Sequence, residues 1–351
     1  MALIRGGNLE FILENKLSDK QYHIIRDHAC KTWNWSRSQL EDPINKYLVD
    51  TIVFRRHDAA IKYFIPWMLN LIGEKKATRI VDFGCGSGSS SVAMSHYFNE
   101  IIGMDILEED ILAARVRADV LCAKNCVFVH SSPSEIVEKA IEYSPNVIVL
   151  YSVVEHLLES EKIDYLKTFW RFLPPGGKLF IHETPNRYAY SDEHTMQIPF
   201  AHLLPDEIAL QYIDRSPRLE FADQLKKVFT EGGWEAYSEK RHRAGLGVGF
   251  HEFEIAFEED LNEILIGDGF DAGIIQSFPI SVDDHSLLSY FDAKKLPIPA
   301  GFARSVLSLA FEKPKSEKCR SINRENNKRR SEVAIRTHSY TSAIRAYESR
   351  L

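Results

Sequence analysis

No apolar run in the 351 residues approaches the roughly 20 needed for a membrane-spanning helix, and the start, MALIRGGNLEF, lacks the basic, apolar, small-residue layout of an export signal. The expectation is a soluble, cytoplasmic protein. The five cysteines, Cys30, Cys85, Cys122, Cys126 and Cys319, are odd in number, scattered and without a C-x-x-C pair, which argues against a disulfide framework or a zinc knuckle. Cys122 and Cys126 stand four apart but fall on a helix end and the next strand, so packing accounts for them, and no metal is expected. Positive charge is also short: the net charge is -7, and residues 313–351 hold eleven Lys/Arg against four Glu, leaving the rest strongly acidic. An acidic body argues against a nucleic-acid surface.

With 44% hydrophobic residues, the chain has material for a full core. Its organising stretch is residues 79–91, RIVDFGCGSGSSS. Ile80 and Val81 suit a buried strand, Asp82 stands at its end, and Gly84, Gly86 and Gly88 permit a sharp turn where a Cβ would block a ligand. A serine-rich helix start follows. Dinucleotide loops space their glycines G-x-G-x-x-G; here Ser89, not glycine, fills the third place. Residues 101–104 form a second apolar run ending in Asp105, seventeen positions after Gly88, where a carboxylate at a strand tip suits a ribose diol. A helix cap is the plainer alternative for Asp105 alone.

Strand and helix then alternate, the pattern of a parallel sheet with helices on both faces. A strand at 126–130 precedes Ser132-Pro133-Ser134-Glu135, which reads as a capping box opening the next helix. An apolar strand over 146–150 leads into Tyr151-Ser152-Val153-Val154-Glu155-His156-Leu157, and a helix ending at Pro174-Pro175-Gly176-Gly177 leads to a fifth strand and Thr184-Pro185-Asn186.

Taken in order, an acid two residues before glycines at alternate positions, the Asp105 strand tip, V-x-E-H-L and T-P-N resemble class I S-adenosylmethionine (AdoMet) methyltransferases over residues 79–188. The resemblance is to small-molecule enzymes of the ubiquinone and methyltransferase 11/12 type. It implies a Rossmann-like, doubly wound α/β sheet, mostly parallel with an antiparallel closing strand. It also implies AdoMet as cofactor, with Asp82, Gly84, Cys85, Gly86, Gly88, Asp105, Ile106, Ser132, Tyr151 and Ser152 around it. Some quinone-pathway relatives carry a further Glu at the place of Ser152 for a divalent metal, and that acid is missing here.

Residues 1–78 read as a helical lead-in, with Trp33 and Trp35 as anchors and Pro66 as a kink or break. Residues 79–312 make the main domain, and residues 189–256 an insertion suited to covering a substrate. In AGLGVGFHEFE, residues 244–254, no helix is evident after the glycines. An extended reading puts His251 and Phe253 on one face and Glu252 and Glu254 on the other. The runs 272–280 and 305–311 read as the closing antiparallel pair, and 313–351 as a basic tail, disordered or a frayed helix on Ile335 and Ile344.

Methyl transfer to a hydroxyl needs a base, and His156, His202 and His251 are the candidates. The expected reaction is O-methylation of a small molecule. A methyltransferase of RNA or protein, an NAD-dependent dehydrogenase and a noncatalytic AdoMet-binding protein remain as alternatives.

Overall fold

The computed structural model describes residues 18–20, 23–24, 26–27, 54–73, 78–192 and 194–339. Cys30, Trp33, Trp35 and Ile344 lie outside them. Seven strands, β1 (Arg79–Phe83), β2 (Glu100–Asp105), β3 (Cys126–His130), β4 (Val147–Tyr151), β5 (Lys178–Pro185), β6 (Leu265–Asp268) and β7 (Val306–Glu312), follow the sheet order β3-β2-β1-β4-β5-β7-β6. β1 runs parallel to β2 and β4, β2 runs parallel to β3, and β6 is antiparallel to β7. This is the mostly parallel α/β sheet that the alternation predicts. By contact density the chain forms two compact units: one runs up to Tyr151 and includes Phe172–Leu179, and the other comprises Ser152–Arg171 and the residues from Phe180 on.

In the first unit β1, β2 and β4 are apolar along most of their length and covered on both faces, with Ile80, Val81, Ile101, Ile102 and Val149 fully buried, whereas the edge strand β3 is partly exposed. Chain direction across the sheet reverses between β1 and β4, and in such sheets ligands bind beyond the carboxyl ends of the strands at that reversal. Ahead of β1, α1 (Arg56–Ala59) and α2 (Ile65–Ile72) are joined through a π-helical stretch, Ala60–Phe64. Pro66 therefore does not break the helix. It sits in the first turn of α2, where its missing N–H is tolerated, and the wider π turn precedes it.

α3 (Ser89–Ser95) and α4 (Glu108–Val120) follow β1 and β2, and α5 (Ile136–Glu142) follows β3. The capping box expected at residues 132–135 does not form. Ser132 and Ser134 meet each other at 3.1 Å, the Ser132 carbonyl takes the Glu135 and Ile136 N–H groups in a turn, and the helix starts at Ile136, three residues later than predicted.

The second unit opens with α6 (Glu159–Phe172). Its inserted segment carries α7 (Asp206–Tyr212) and α8 (Leu219–Arg243), the latter interrupted at Gly233. Met196, Ala201, Ala209, Ile213, Ala222, Leu225 and Tyr237 give this segment a core of its own. The glycine-rich run then pairs with the end of β5: Val248 N–H donates to the Pro185 carbonyl at 3.1 Å, and Arg187 N–H to the Val248 carbonyl at 3.1 Å. A helix does follow, α9 (Phe250–Phe257), so the extended reading of His251 is corrected. Glu252 Oε2 accepts the Gly249 N–H at 3.1 Å and closes its first turn.

After α10 (Leu261–Ile264), β6 comes earlier than predicted, and residues 272–277 form α11 (Ala272–Ser277) instead of a strand. The cause is the turn at the end of β6. Asp268 accepts the Phe270 N–H through its side chain and the Asp271 N–H through its carbonyl, which turns the chain into a helix. α12 (Val282–Lys294) is capped by Ser281 and Asp284, and Arg304 pairs with buried Asp284 at 2.6 Å.

Of the two readings of the tail, the disordered one is corrected, because residues 317–338 form the continuous helix α13 (Glu317–His338). Arg320 and Arg324 pair with Glu259, Asp260 and Glu263, and Asn327 donates to the Asn262 and Leu265 carbonyls at 2.9 and 2.6 Å. Ala334 is buried. Long-range polar contacts hold a helix that has too few apolar residues to dock by burial alone. Among the described residues no helix is long and apolar enough to cross a membrane.

Candidate functional site

In the first unit the tips of β1, β2 and β3 converge on the glycine loop. Gly84 and Cys85 donate their N–H groups to the Met104 carbonyl at 2.8 and 3.0 Å, pinning the loop to β2. Gly86 N–H donates to Asp105 Oδ2 at 2.9 Å, and Leu107 N–H to Asp105 Oδ1 at 3.0 Å. Each carboxylate oxygen thus spends one lone pair on backbone and keeps another, so a diol can be taken by a carboxylate already fixed in place. Ile106, 44% exposed beside it, offers an apolar surface to a flat ring.

The glycines differ in purpose. Gly84, Gly86 and Gly88 all have positive φ. A Cβ on Gly86 would meet nothing within 4 Å, so that side of the loop is open, whereas one on Gly88 would lie 2.8 Å from Ala114 Cβ and 3.1 Å from the Phe128 ring. Gly86 leaves room for a ligand; Gly88 lets the loop pack on α4 and β3. Phe128 also covers Gly103, whose Cβ would come within 2.6 Å of the ring.

Asp82 is fully buried. Its Oδ2 accepts Ser90 and Ser91 hydroxyls at 2.7 and 2.5 Å, while Oδ1 has no protein partner among the described residues. Burial raises its carboxyl to about 6, against the opposing pull of the two serines. A buried acceptor of this kind calls for a donor, and a cationic amine supplies one. Cys85 is buried, its thiol pushed well above the ordinary range by burial and the nearby carboxylates. It lines the loop and has no nucleophilic character.

Ser131, rather than Ser132, is tied to the strand tips. Its N–H donates to the Asp105 carbonyl at 3.1 Å, and its buried hydroxyl has no protein partner among the described residues. Sequence reading also passes over Asp110, which burial, Asp105 and Glu109 raise to about 7. Tyr151, at the end of β4, is buried with its ring edge-on to Phe64 at 5.3 Å and beneath the Arg56 guanidinium at 5.3 Å. The set asks for a ligand with a vicinal diol, a flat ring and a cationic amine, and AdoMet carries all three.

The remaining residues belong to the second unit. Ser152 has φ +54, donates its N–H to the His182 carbonyl at 2.9 Å, and turns its hydroxyl to the Glu183 carbonyl at 3.3 Å. Ring tautomer distinguishes the three histidines. His156 Nδ1 lies 2.9 Å from the Arg243 carbonyl, and a carbonyl only accepts, so Nδ1 holds the proton and Nε2 the lone pair. The side chain is 45% exposed, and Nε2 faces Glu155 Oε1 at 3.8 Å. Glu155 is fully buried; Thr184 donates to its Oε2 at 3.0 Å, Oε1 has no hydrogen bond among the described residues, and burial raises its pKa.

His202 Nε2 meets the Arg187 carbonyl at 3.0 Å, which leaves a lone pair on Nδ1. That nitrogen is buried and makes no well-formed hydrogen bond among the described residues, and burial lowers the ring's pKa against the opposing pull of Asp192 and of the Arg187 and Ala189 backbone. His251 Nδ1 lies 2.6 Å from Tyr188 Oη. Arg187 pairs with Glu159 and Glu252, each at 2.8 Å, and the wholly buried Lys162 donates to the Gly247 carbonyl at 3.0 Å. These contacts fix the segment around the histidines.

Residues 51–239, more than half of the chain, match a methyltransferase-domain family. The mitochondrial ubiquinone biosynthesis O-methyltransferase of Homo sapiens is 32% identical over 105 residues, covering 29% of this chain and 28% of that protein. An uncharacterized RNA methyltransferase of Clostridium tetani is 28% identical over 81 residues, covering 23% of this chain and 18% of that protein. The chain thus spans less than a third of the length of either relative. Among solved structures, magnesium protoporphyrin IX methyltransferase from Synechocystis PCC 6803 is 18% identical, covers 49% of this chain and 80% of that one, and superposes with a TM-score of 0.34.

Proposed function

Because the chain belongs to the methyltransferase-domain family, we propose that it transfers a methyl group from AdoMet to a hydroxyl oxygen of a small molecule. AdoMet supplies a methyl on a sulfonium, open to in-line displacement. The chain's part is to hold, align and take a proton. Asp105 accepts the ribose hydroxyls through its remaining lone pairs, and Asp82 Oδ1 accepts the amine. Ile106 and Ser131 flank the adenine, and Tyr151 closes the β4 side.

The observation that carries the hydroxyl reading is the lone pair on His156 Nε2. An attacking hydroxyl must lose its proton, and a neutral imidazole at partial exposure can accept it. As His156 becomes cationic, its charge lowers the raised pKa of Glu155 and favours the carboxylate beside it. Proton uptake at one residue therefore favours ionisation at the other. His202 is the second base by tautomer, but it is 8% exposed and its free nitrogen is closed off. The ubiquinone O-methyltransferase relative supports an oxygen acceptor. The RNA methyltransferase relative supports a nucleic acid, but the charge that would favour this reading is partly spent where Arg320 and Arg324 pair with acids.

The test is incubation with methyl-labelled AdoMet and separate phenol, catechol, sugar and RNA acceptors. Label is expected in a small hydroxyl compound. His156→Ala is expected to lower kcat by about 100- to 10,000-fold with AdoMet affinity kept. Label only in RNA, or none in any acceptor, rejects the proposal.

A further inference from the structure

The second unit holds a cleft of about 350 Å³, near the lower end of the range for small-molecule pockets. Glu159 at the start of α6, Asp206 at the start of α7, and Arg241 and His242 near the end of α8 line it, with Arg187 and His202. Leu203, Leu204 and Leu246 add apolar surface.

The cations of this lining are spent on the protein. Arg241 donates through Nη1 to Asp206 at 2.5 Å, and through Nη2 to the Ala201 and Leu204 carbonyls at 2.8 and 3.0 Å. Arg187 Nη2 meets Glu159 and Glu252, each at 2.8 Å, and the Gly247 carbonyl at 3.2 Å. The acceptors are not used up. Lys162 and Arg187 both approach Glu159 through Oε1, at 3.5 and 2.8 Å, which leaves Oε2 open among the described residues. Asp206 gives one oxygen to Arg241, and a carboxylate has lone pairs to spare. His242 Nδ1 lies 2.7 Å from the Ser238 carbonyl, so that nitrogen holds the proton and Nε2 keeps a lone pair. His202, 8% exposed, also keeps Nδ1 without a well-formed hydrogen bond among the described residues.

His242 acts on both carboxylates and is their common neighbour. Burial opposes the charge on Glu159 and Asp206. Lys162 and Arg187 at the one, and Ser238 and Arg241 at the other, outweigh it and hold both below the usual carboxylate range. The cleft therefore has acceptors in excess of donors. Among the described residues no three His, Cys, Asp or Glu groups are placed to share a metal ion. A guanidinium spreads five N–H donors around a plane, so it reaches acceptors too far apart for one ion.

We propose that this cleft binds a small molecule bearing an alkylguanidinium, with its N–H groups on Glu159 Oε2, Asp206 and His242 Nε2 and its alkyl chain along Leu203, Leu204 and Leu246. The site lies within the second unit and does not depend on the methyl-transfer reading.

The test is calorimetric titration of the full chain with butylguanidinium, butyltrimethylammonium, which has the charge without the donors, and butyrate. Butylguanidinium is expected to bind at least tenfold more tightly than either of the others. Glu159→Gln and His242→Ala should each weaken it by about tenfold, while Glu325→Gln, on the exposed surface of α13, should leave it unchanged. With 15N-labelled histidine, His242 is expected to show an unprotonated Nε2 that shifts on adding butylguanidinium and not on adding butyrate. This spectrum of the unaltered chain decides the matter if a variant fails to fold. Equal affinity for the two cations, tighter binding of butyrate, undiminished affinity in both folded variants, or a His242 resonance that butylguanidinium leaves unmoved overturns the proposal.

Discussion

Gly86 N–H donates to Asp105 Oδ2 at 2.9 Å, so the middle glycine of the loop and the carboxylate at the neighbouring strand tip act as one hydrogen-bonded unit. Asp105 both shapes the loop and faces the ligand. Asp105→Ala removes two backbone contacts together with the ribose acceptor. With charged hydrogen bonds contributing about 1.5–3 kcal/mol each, AdoMet affinity is expected to fall by about 100-fold or more. Asp105→Asn, which keeps one carbonyl oxygen, should fall less. Calorimetric titration of the two variants checks the order.

The two outer roles of the loop glycines are separable. Gly86→Ala places a methyl in open space, so stability should drop by only about 1 kcal/mol for the left-handed backbone, while AdoMet binding is lost. Gly88→Ala pushes a methyl into Ala114 and Phe128 and should cost about 3 kcal/mol of stability. Urea denaturation beside cofactor titration reads both quantities. Equal stability losses would refute the distinction.

Asp82 ties stability to pH. Its carboxyl ionises near 3.8 in an unfolded chain and at about 6 in the fold, because burial disfavours the charge. Between those values the folded chain keeps a proton that the unfolded chain has released. Stability therefore falls as pH rises through this window, by about 3 kcal/mol at most, and Asp82→Asn should remove the fall. A bound cationic amine favours the ionised form, so AdoMet affinity should rise over the same window with proton release. Denaturation at several pH values and calorimetry in buffers of different ionisation enthalpy give the two slopes.

Asn327 carries the docking of α13. It is 1% exposed and donates to carbonyls of Asn262 and Leu265. Asn327→Ala removes the donor from both carbonyls and should cost about 2–3 kcal/mol, whereas exposed Asn326→Ala should change stability by less than about 0.5 kcal/mol. The shift in denaturant midpoint separates them.

Legibility from the sequence followed the range of the interactions. β1, β2 and β4 were readable because buried parallel strands are unbroken apolar runs, and Asp82, the glycines and Asp105 were readable because loop and strand tip lie close in sequence. Gly88 looked like a ligand glycine because its real neighbours, Ala114 and Phe128, are 26 and 40 positions away. α13 looked like a solvated tail because its partners are acids and carbonyls some sixty positions earlier. Residues 272–277 looked like strand because two adjacent isoleucines fit either form, and the Asp268 turn decided for helix. His251 is a candidate that the sequence offers, but its hydrogen-bond partner Tyr188 lies 63 positions away.

Phe128 lies against the places where side chains would begin at both Gly88 and Gly103. The three positions therefore cannot drift independently. A sequence with a smaller residue at 128 opens room at 103 for alanine, while restoring phenylalanine there makes that alanine harmful. The same substitution is thus neutral or damaging according to its background, and the order in which changes arrive decides which sequences are reachable.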